Sequence, residues 1–116
     1  MSFDMNKKNI NDYINTELNK FKFNRTSLGY KYLKIAISNG IQDELLIEDL
    51  NNRLYKKMEN ELKVEKKKIK WNIEKSIEFM YINTNMEYIM NYFYIEEKEK
   101  VTPKMFITTI VENYLK

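Results

Sequence analysis

The chain has 116 residues, of which 43% are apolar and 32% charged, and its formal net charge is +3. This length corresponds to one domain, and the apolar fraction suffices for a buried core. There is no Cys and no His, which excludes disulfides, thiolate nucleophiles, imidazole bases and zinc fingers. We therefore expect no metal, no cofactor and no enzymatic activity. No apolar run approaches the roughly 20 residues of a membrane span and the N-terminus lacks a secretory signal, so we expect a soluble cytoplasmic protein.

Helical periodicity recurs along almost the whole sequence. The first predicted helix presents Ile10, Tyr13, Ile14 and Leu18 on one face and ends before a polar and aromatic stretch, Lys20–Thr26. Ser27 can cap a second helix, whose apolar stripe is Leu28, Tyr32, Leu33, Ala36 and Ile37. Asn39-Gly40 predicts the end of this helix. We expect Tyr30 and Tyr32 to pack in the core rather than to bind a ligand.

The second half of the sequence predicts four further helical regions. A third region covers about Asp43–Leu62, with a break near Asp49–Asn52, and Lys63-Val64-Glu65 is a turn. The next helices cover about Lys66–Ile82, with the stripe Ile69, Ile73, Ile77 and Met80, and about Met86–Phe93. Glu96–Lys100 is a loop, and Thr102-Pro103 begins a last helix whose core side is Phe106, Ile107, Ile110, Val111 and Tyr114. The predicted fold class is all-α, a compact bundle of about six helices.

Positive charge is concentrated in one segment. Residues 56–75 contain eight lysines and four glutamates, a net charge of +4, while the rest of the chain carries −1. An uneven distribution of this kind is typical of an anion-binding face, and the alternative is a solvated lysine-rich helix. Two helices joined by a short turn, the second of them basic, predict a helix-turn-helix with its recognition helix over about 66–82. The candidate DNA-binding residues are Lys63, Lys66, Lys67, Lys68, Lys70, Trp71, Glu74 and Lys75.

The stretch Leu28–Leu115 resembles the C-terminal effector domain of the sporulation initiation response regulators, stage zero sporulation protein A. The resemblance rests on Gly29-Tyr30-Lys31-Tyr32-Leu33, Leu54-Tyr55, the isoleucine spacing with Glu78, and Thr102-Pro103 with the Phe106–Leu115 helix. It implies a six-helix bundle whose helix-turn-helix enters the major groove of double-stranded DNA. It also implies binding as tandem copies or a homodimer and contact with the RNA polymerase sigma subunit. On this basis residues 1–27 form an N-terminal helix and connection, and residues 28–116 the effector-like domain.

The recognition helix departs from the family pattern. The family presents Ser-Arg-x-Glu-Arg followed by Arg-His, and this sequence has Lys67, Lys68, Lys70 and Trp71 at the Ser, Arg, Glu and Arg positions. Glu74 and Lys75 replace the Arg-His pair. The bidentate contacts that arginine makes to guanine are therefore absent. Only about 27 residues precede the match, too few for a receiver domain, so in a complete chain we expect no control by aspartyl phosphorylation.

Two functions remain open from the sequence. The first is a sequence-specific DNA-binding transcription regulator. The second is a protein-interaction module that has lost base readout and modulates a regulator or polymerase through the face that bears Trp71. Glu74 and Glu78 favour the second function, since carboxylates repel phosphates, and the five lysines between Lys63 and Lys70 favour the first. Trp71 either packs back against a neighbouring helix or stays exposed for DNA or a partner.

Overall fold

A computed structural model describes residues 3–116 and contains six α-helices in that part of the chain. Their bounds are Phe3–Leu18 (α1), Leu28–Gln42 (α2), Tyr55–Leu62 (α3), Lys66–Asn83 (α4), Met86–Phe93 (α5) and Pro103–Leu115 (α6). Residues 3–116 contain no β-strand. The predicted all-α class is therefore confirmed. None of the helices in these residues has both the length and the apolar character required to cross a membrane.

Short polar side chains set the helix starts. The Ser27 hydroxyl accepts the N–H of Tyr30, and the Asn85 amide oxygen accepts the N–H of Tyr88, each at 3.1 Å. Thr102 caps α6 in the same way, and Pro103 occupies the first turn, where its missing N–H costs nothing. The starts predicted at Ser27 and Thr102-Pro103 are thus confirmed.

Helix α2 lies at the centre of the bundle and makes its most extensive contacts with α4 and α6. Tyr30 and Tyr32 are buried in it, as predicted, whereas Leu28 at its first position is 37% exposed and does not join the core. Phe106, Ile107, Ile110 and Val111 of α6 are buried, and Tyr114 is half-buried.

The predicted end of α2 at Asn39-Gly40 is wrong, because the helix continues to Gln42. Gly40 does not adopt a positive φ, so it is not a left-handed terminator. It serves packing instead. A Cβ at this position would lie 2.9 Å from methyl groups of both Ile47 and Val111.

The predicted third helical region consists of three pieces. A 3-10 helix covers Glu44–Glu48, a single π-helical turn covers Leu50–Leu54, and α3 follows directly. The predicted break is found at Asp49, whose extended backbone separates the first two pieces and whose carboxylate accepts the N–H of Asn52. Four leucines of this region are spaced for burial, and of these Leu46 and Leu54 are buried, while Leu50 and Leu62 are half-buried.

The connection between α1 and α2 contributes aromatic side chains to the core. Phe21 is 2% exposed and packs against Tyr92, Phe93 and Phe106, with ring centroids 4.9–5.7 Å apart. The Tyr92 hydroxyl donates to Glu17 of α1 at 2.9 Å. Helix α1 and its connection are therefore packed onto α5 and α6.

Candidate nucleic-acid interface

Helices α3 and α4 are joined by only three residues, as the sequence predicts. Lys63 ends α3 in the left-handed conformation, with φ 56° and ψ 41°, and its N–H donates to the Glu59 carbonyl at 3.0 Å. Such a conformation closes a helix and turns the chain sharply. Helix α4 then begins at Lys66. This arrangement is compatible with a helix-turn-helix.

The Glu59 carboxylate ties the end of the turn to α3. It accepts the backbone N–H of Lys66 at 2.7 Å and the Lys56 ammonium at 3.2 Å. The hydrogen bond from Lys66, followed by that from Lys56, lowers the pKa of Glu59 below its ordinary value. An ionised carboxylate at this place pairs with one of the otherwise unpaired N–H groups at the start of α4. Its negative charge also interacts favourably with the positive end of the helix dipole. Glu59 thereby helps to fix the direction in which α4 leaves the turn.

Helix α4 buries one face and exposes the other. Ile69, Ile73, Ile77 and Met80 are at most 2% exposed, which confirms the predicted stripe. On the other side, the exposed residues are Lys67, Lys68, Trp71, Glu74, Lys75 and Glu78. The orientation of α4 predicted from its periodicity is therefore confirmed.

The lysines assigned to the site occupy different places around the start of α4. Lys67 and Lys68 are exposed on the outer face, and Lys63 is exposed in the turn. Lys66 is half-buried and lies roughly 60° around the helix from Ile69, on the core side. Lys70 is exposed at the flank, roughly 60° around the helix from Ile73. The structure therefore places Lys67 and Lys68 on the outer face and the other three around it.

Trp71 lies on the outer face and is 57% exposed, so it does not pack back against a neighbouring helix. The Lys75 ammonium lies 5.5 Å from the centroid of its ring, within the range of a cation–π contact. The same ammonium is 3.5 Å from the Glu78 carboxylate. Trp71 and Lys75 therefore form a joint aromatic and cationic surface one to two turns beyond Lys67 and Lys68.

Glu74 is exposed on α4 and acts electrostatically on Tyr55 of α3. Burial raises the pKa of the Tyr55 hydroxyl above its ordinary value, and the negative charge of Glu74 raises it further. Tyr55 is the first residue of α3 and is 3% exposed. The negative charge of Glu74 therefore lies near enough to α3 to act on the Tyr55 hydroxyl, whereas Glu78 lies beside Lys75.

Gly29 determines how closely α4 approaches α2, and this role was not predicted from the sequence. A Cβ on Gly29 would lie 2.1 Å from the Asn72 carbonyl oxygen and 2.9 Å from the Ser76 Cβ. Only glycine permits two helix backbones to lie this close. A glycine in the first turn of a predicted helix is the one local signal of such a contact.

A known protein family matches most of the chain, including the helices that build this site. The family model described as sporulation initiation factor Spo0A C terminal matches residues 14–114. The chain belongs to this family. The match covers α2–α5 completely and begins within α1, while the division between residues 1–27 and 28–116 stays a prediction. A search of curated proteins found no match to the chain.

Membership of this family gives the general class of the protein. The Spo0A C-terminal family is one of DNA-binding regulatory domains in sporulation, not of enzymes. The resemblance stated for Leu28–Leu115 is thus confirmed, and the family match extends further toward the N-terminus, to residue 14.

Proposed function

We propose that α3 and α4 act as a helix-turn-helix and that α4 enters the major groove of double-stranded DNA as the recognition helix. The observation that supports this most directly is the exposure of Lys67 and Lys68 at the N-terminal end of α4, with the isoleucine stripe fully buried behind them. Recognition helices contact base edges mainly through their N-terminal residues. Lys63 and Lys70 flank this pair and are placed to reach phosphates on either side.

The lysines supply affinity more than base readout. An ammonium group is a point charge that attracts phosphate, whereas the paired contacts to guanine are made best by the planar guanidinium of arginine. We therefore propose that the DNA sequence preferred by this chain differs from the box of its family, with Trp71 and Lys75 as further contacts. We further propose that the protein acts in the cytoplasm, binds DNA as tandem copies or a homodimer and contacts the RNA polymerase sigma subunit, as the resemblance stated from the sequence implies.

The double substitution Lys67→Ala/Lys68→Ala is expected to weaken binding to duplex DNA by roughly tenfold or more. Each lost charged contact costs on the order of 1 kcal/mol, and two of them exceed a factor of ten together. The log–log dependence of affinity on salt is expected to become less steep by about 2 units, since each phosphate contact contributes about 0.9. Fluorescence anisotropy with genomic duplexes enriched by the wild-type protein measures both quantities.

Lys98→Ala/Lys100→Ala is the matched control, because both lysines are exposed in the loop near the C-terminal end of α4. This control is expected to keep the affinity and salt dependence of the wild-type protein. If Lys67→Ala/Lys68→Ala also keeps both, α4 is not the recognition helix.

A second candidate function is supported by apolar exposure on α4. Trp71 is 57% exposed, and two further apolar side chains on this helix, Phe79 and Ile82, are 42% and 74% exposed. Spacings of eight and eleven residues place them near the same side as Trp71. Exposed Trp is frequent among residues that dominate protein interfaces. This supports a module that binds a regulator or polymerase through α4 instead of DNA.

The emission of Trp71 distinguishes the two functions, since it is the only Trp in the sequence. If α4 binds DNA, the enriched duplex is expected to quench or shift the emission. If α4 binds a protein instead, DNA leaves the emission unchanged and Trp71→Ala weakens capture of that partner by about 2 kcal/mol or more. In the free protein, the emission is expected to be accessible to iodide or acrylamide. Resistance to both quenchers would contradict the exposed position of Trp71 on which both functions depend.

A further inference from the structure

A second concave surface lies on the side of α2 that faces away from α4. It has a volume of about 1090 Å³ and is lined by residues of α1, α2, α3 and α6, with Arg25 from the α1–α2 connection. None of its described lining residues belongs to α4. Gly29 faces α4, and Lys31, which lines the groove, is roughly 200° further around α2. We refer to this surface as the α2 groove.

The floor of the α2 groove is apolar and is supplied by four helices. One half-buried side chain comes from each of α1, α2, α3 and α6: Ile10, Ile35, Leu62 and Tyr114. The Tyr114 ring packs against Tyr13 with centroids 4.8 Å apart, and the Tyr13 hydroxyl donates to the Ile110 carbonyl at 2.6 Å. The Tyr114 end of the floor is therefore held in place by contacts within the protein.

The rim of the α2 groove is strongly basic. Glu61 is the only acidic residue among the described lining residues, and its carboxylate is paired with the Lys57 ammonium at 2.7 Å. The same ammonium donates to the Asn39 amide oxygen at 3.0 Å, which fixes its position. The remaining charges on the rim are all positive and give it a net charge of +4: Lys7, Arg25, Lys31 and Lys34.

We propose that the α2 groove binds an acidic amphipathic segment of a partner protein. Its apolar side chains would pack on the floor, while its carboxylates would lie against the cations of the rim. Amphipathic helices bind apolar grooves through side chains at positions i, i+3, i+4 and i+7, and complementary rim charges steer and orient them. The phosphates of a DNA backbone would bind the cations of the rim but would make no favourable contact with a recessed apolar floor. A basic rim around an apolar floor therefore favours a protein segment as the ligand.

The position of the groove makes this binding compatible with DNA binding through α4. Helix α4 lies against one side of α2 and the groove lies on another, and none of the described lining residues belongs to α4. The two surfaces come nearest at the end of α3, where Leu62 of the floor precedes Lys63. A partner in the groove can therefore associate with the protein while α4 lies on DNA. The inference does not depend on the proposed function, because a protein that fails to bind DNA would still present the same groove.

The test is a selection of peptides from a display library of random 16-residue sequences, using the full chain as bait. The selected peptides are expected to be net acidic with apolar residues at helical spacing. One of them is then synthesised with a fluorophore, and its affinity is measured by polarisation. Arg25→Glu/Lys31→Glu, at two exposed rim positions, is expected to weaken this affinity at least tenfold. Lys67→Glu/Lys68→Glu on α4 is the matched charge-reversal control and is expected to change it less than threefold.

Circular dichroism confirms that both variants are folded, and chemical shifts of the bound protein are expected to change at Ile10, Ile35 and Tyr114. The proposal is overturned if the selection gives no enriched peptide or gives neutral or basic ones. It is also overturned if Arg25→Glu/Lys31→Glu leaves the affinity unchanged. Should that variant weaken duplex binding as much as Lys67→Glu/Lys68→Glu while no peptide is enriched, the groove belongs to the DNA interface instead.

Discussion

Gly29→Ala is expected to destabilise the protein by about 3 kcal/mol, at the upper end of the usual cost of overpacking. The added Cβ would lie 2.1 Å from the carbonyl oxygen of Asn72, which is a backbone atom of α4. A backbone atom in the middle of an 18-residue helix cannot move alone. The substitution therefore forces α4 away from α2 over their most extensive contact, and thermal unfolding measures the resulting loss.

Gly40→Ala provides a control on the same helix with the same chemical change. Its Cβ would meet methyl groups of Ile47 and Val111 at 2.9 Å, and these belong to side chains that can shift. Both substitutions gain the roughly 1 kcal/mol by which Ala exceeds Gly in helix propensity. We therefore expect Gly40→Ala to cost clearly less than Gly29→Ala. Equal losses would mean that the approach of α2 to α4 is not set at Gly29.

Local patterns in the sequence sufficed for the helices and for the orientation of α4. Hydrophobic periodicity and capping act within one or two turns of chain, so Ser27, Thr102 and the stripe around Ile73 were interpretable without tertiary information. The same reasoning failed at Asn39-Gly40. There the glycine leaves room for side chains of Ile47 and Val111, which lie 7 and 71 residues further along the chain, and does not reflect the local backbone.

The connection between α1 and α2 illustrates a second limit of sequence patterns. Phe21 and Phe23 lie outside any helix, where no periodicity indicates which side chains are buried. Their burial is determined by α5 and α6, which bring Phe93 and Phe106 against Phe21. Leu28 shows the converse, because a position in phase with the apolar stripe stays 37% exposed at the end of its helix.

The candidate site was predictable in its charge but not in its support. The exposed positions of Lys67 and Lys68 could be predicted from the local excess of lysine and from the helical periodicity of α4. The sequence did not decide whether Trp71 is exposed. The contacts that position α4 are made by Glu59 and Gly29, which lie 7 and 43 residues from their partners Lys66 and Asn72. Short-range rules carry no information on contacts of this kind.

Ile73→Ala is expected to lower the free energy of unfolding by about 2–5 kcal/mol, the usual cost of deleting a large buried aliphatic side chain. Ile73 is fully buried in the middle of the α4 stripe, between Ile69 and Ile77. The loss combines the apolar surface returned to water with the cavity left behind, and close neighbours in a packed bundle fill such a cavity only in part.

Ile82→Ala is the matched control for Ile73→Ala, since it makes the same change on the same helix at a side chain that is 74% exposed. It is expected to stay within about 0.5 kcal/mol of the wild-type protein. Urea unfolding followed by circular dichroism measures both variants, and a lower midpoint at an unchanged slope identifies a loss of stability rather than of compactness. If Ile73→Ala matches the control, the isoleucine stripe does not anchor α4 to the bundle. The lysines on the opposite face would then lose the rigid support that a recognition helix requires.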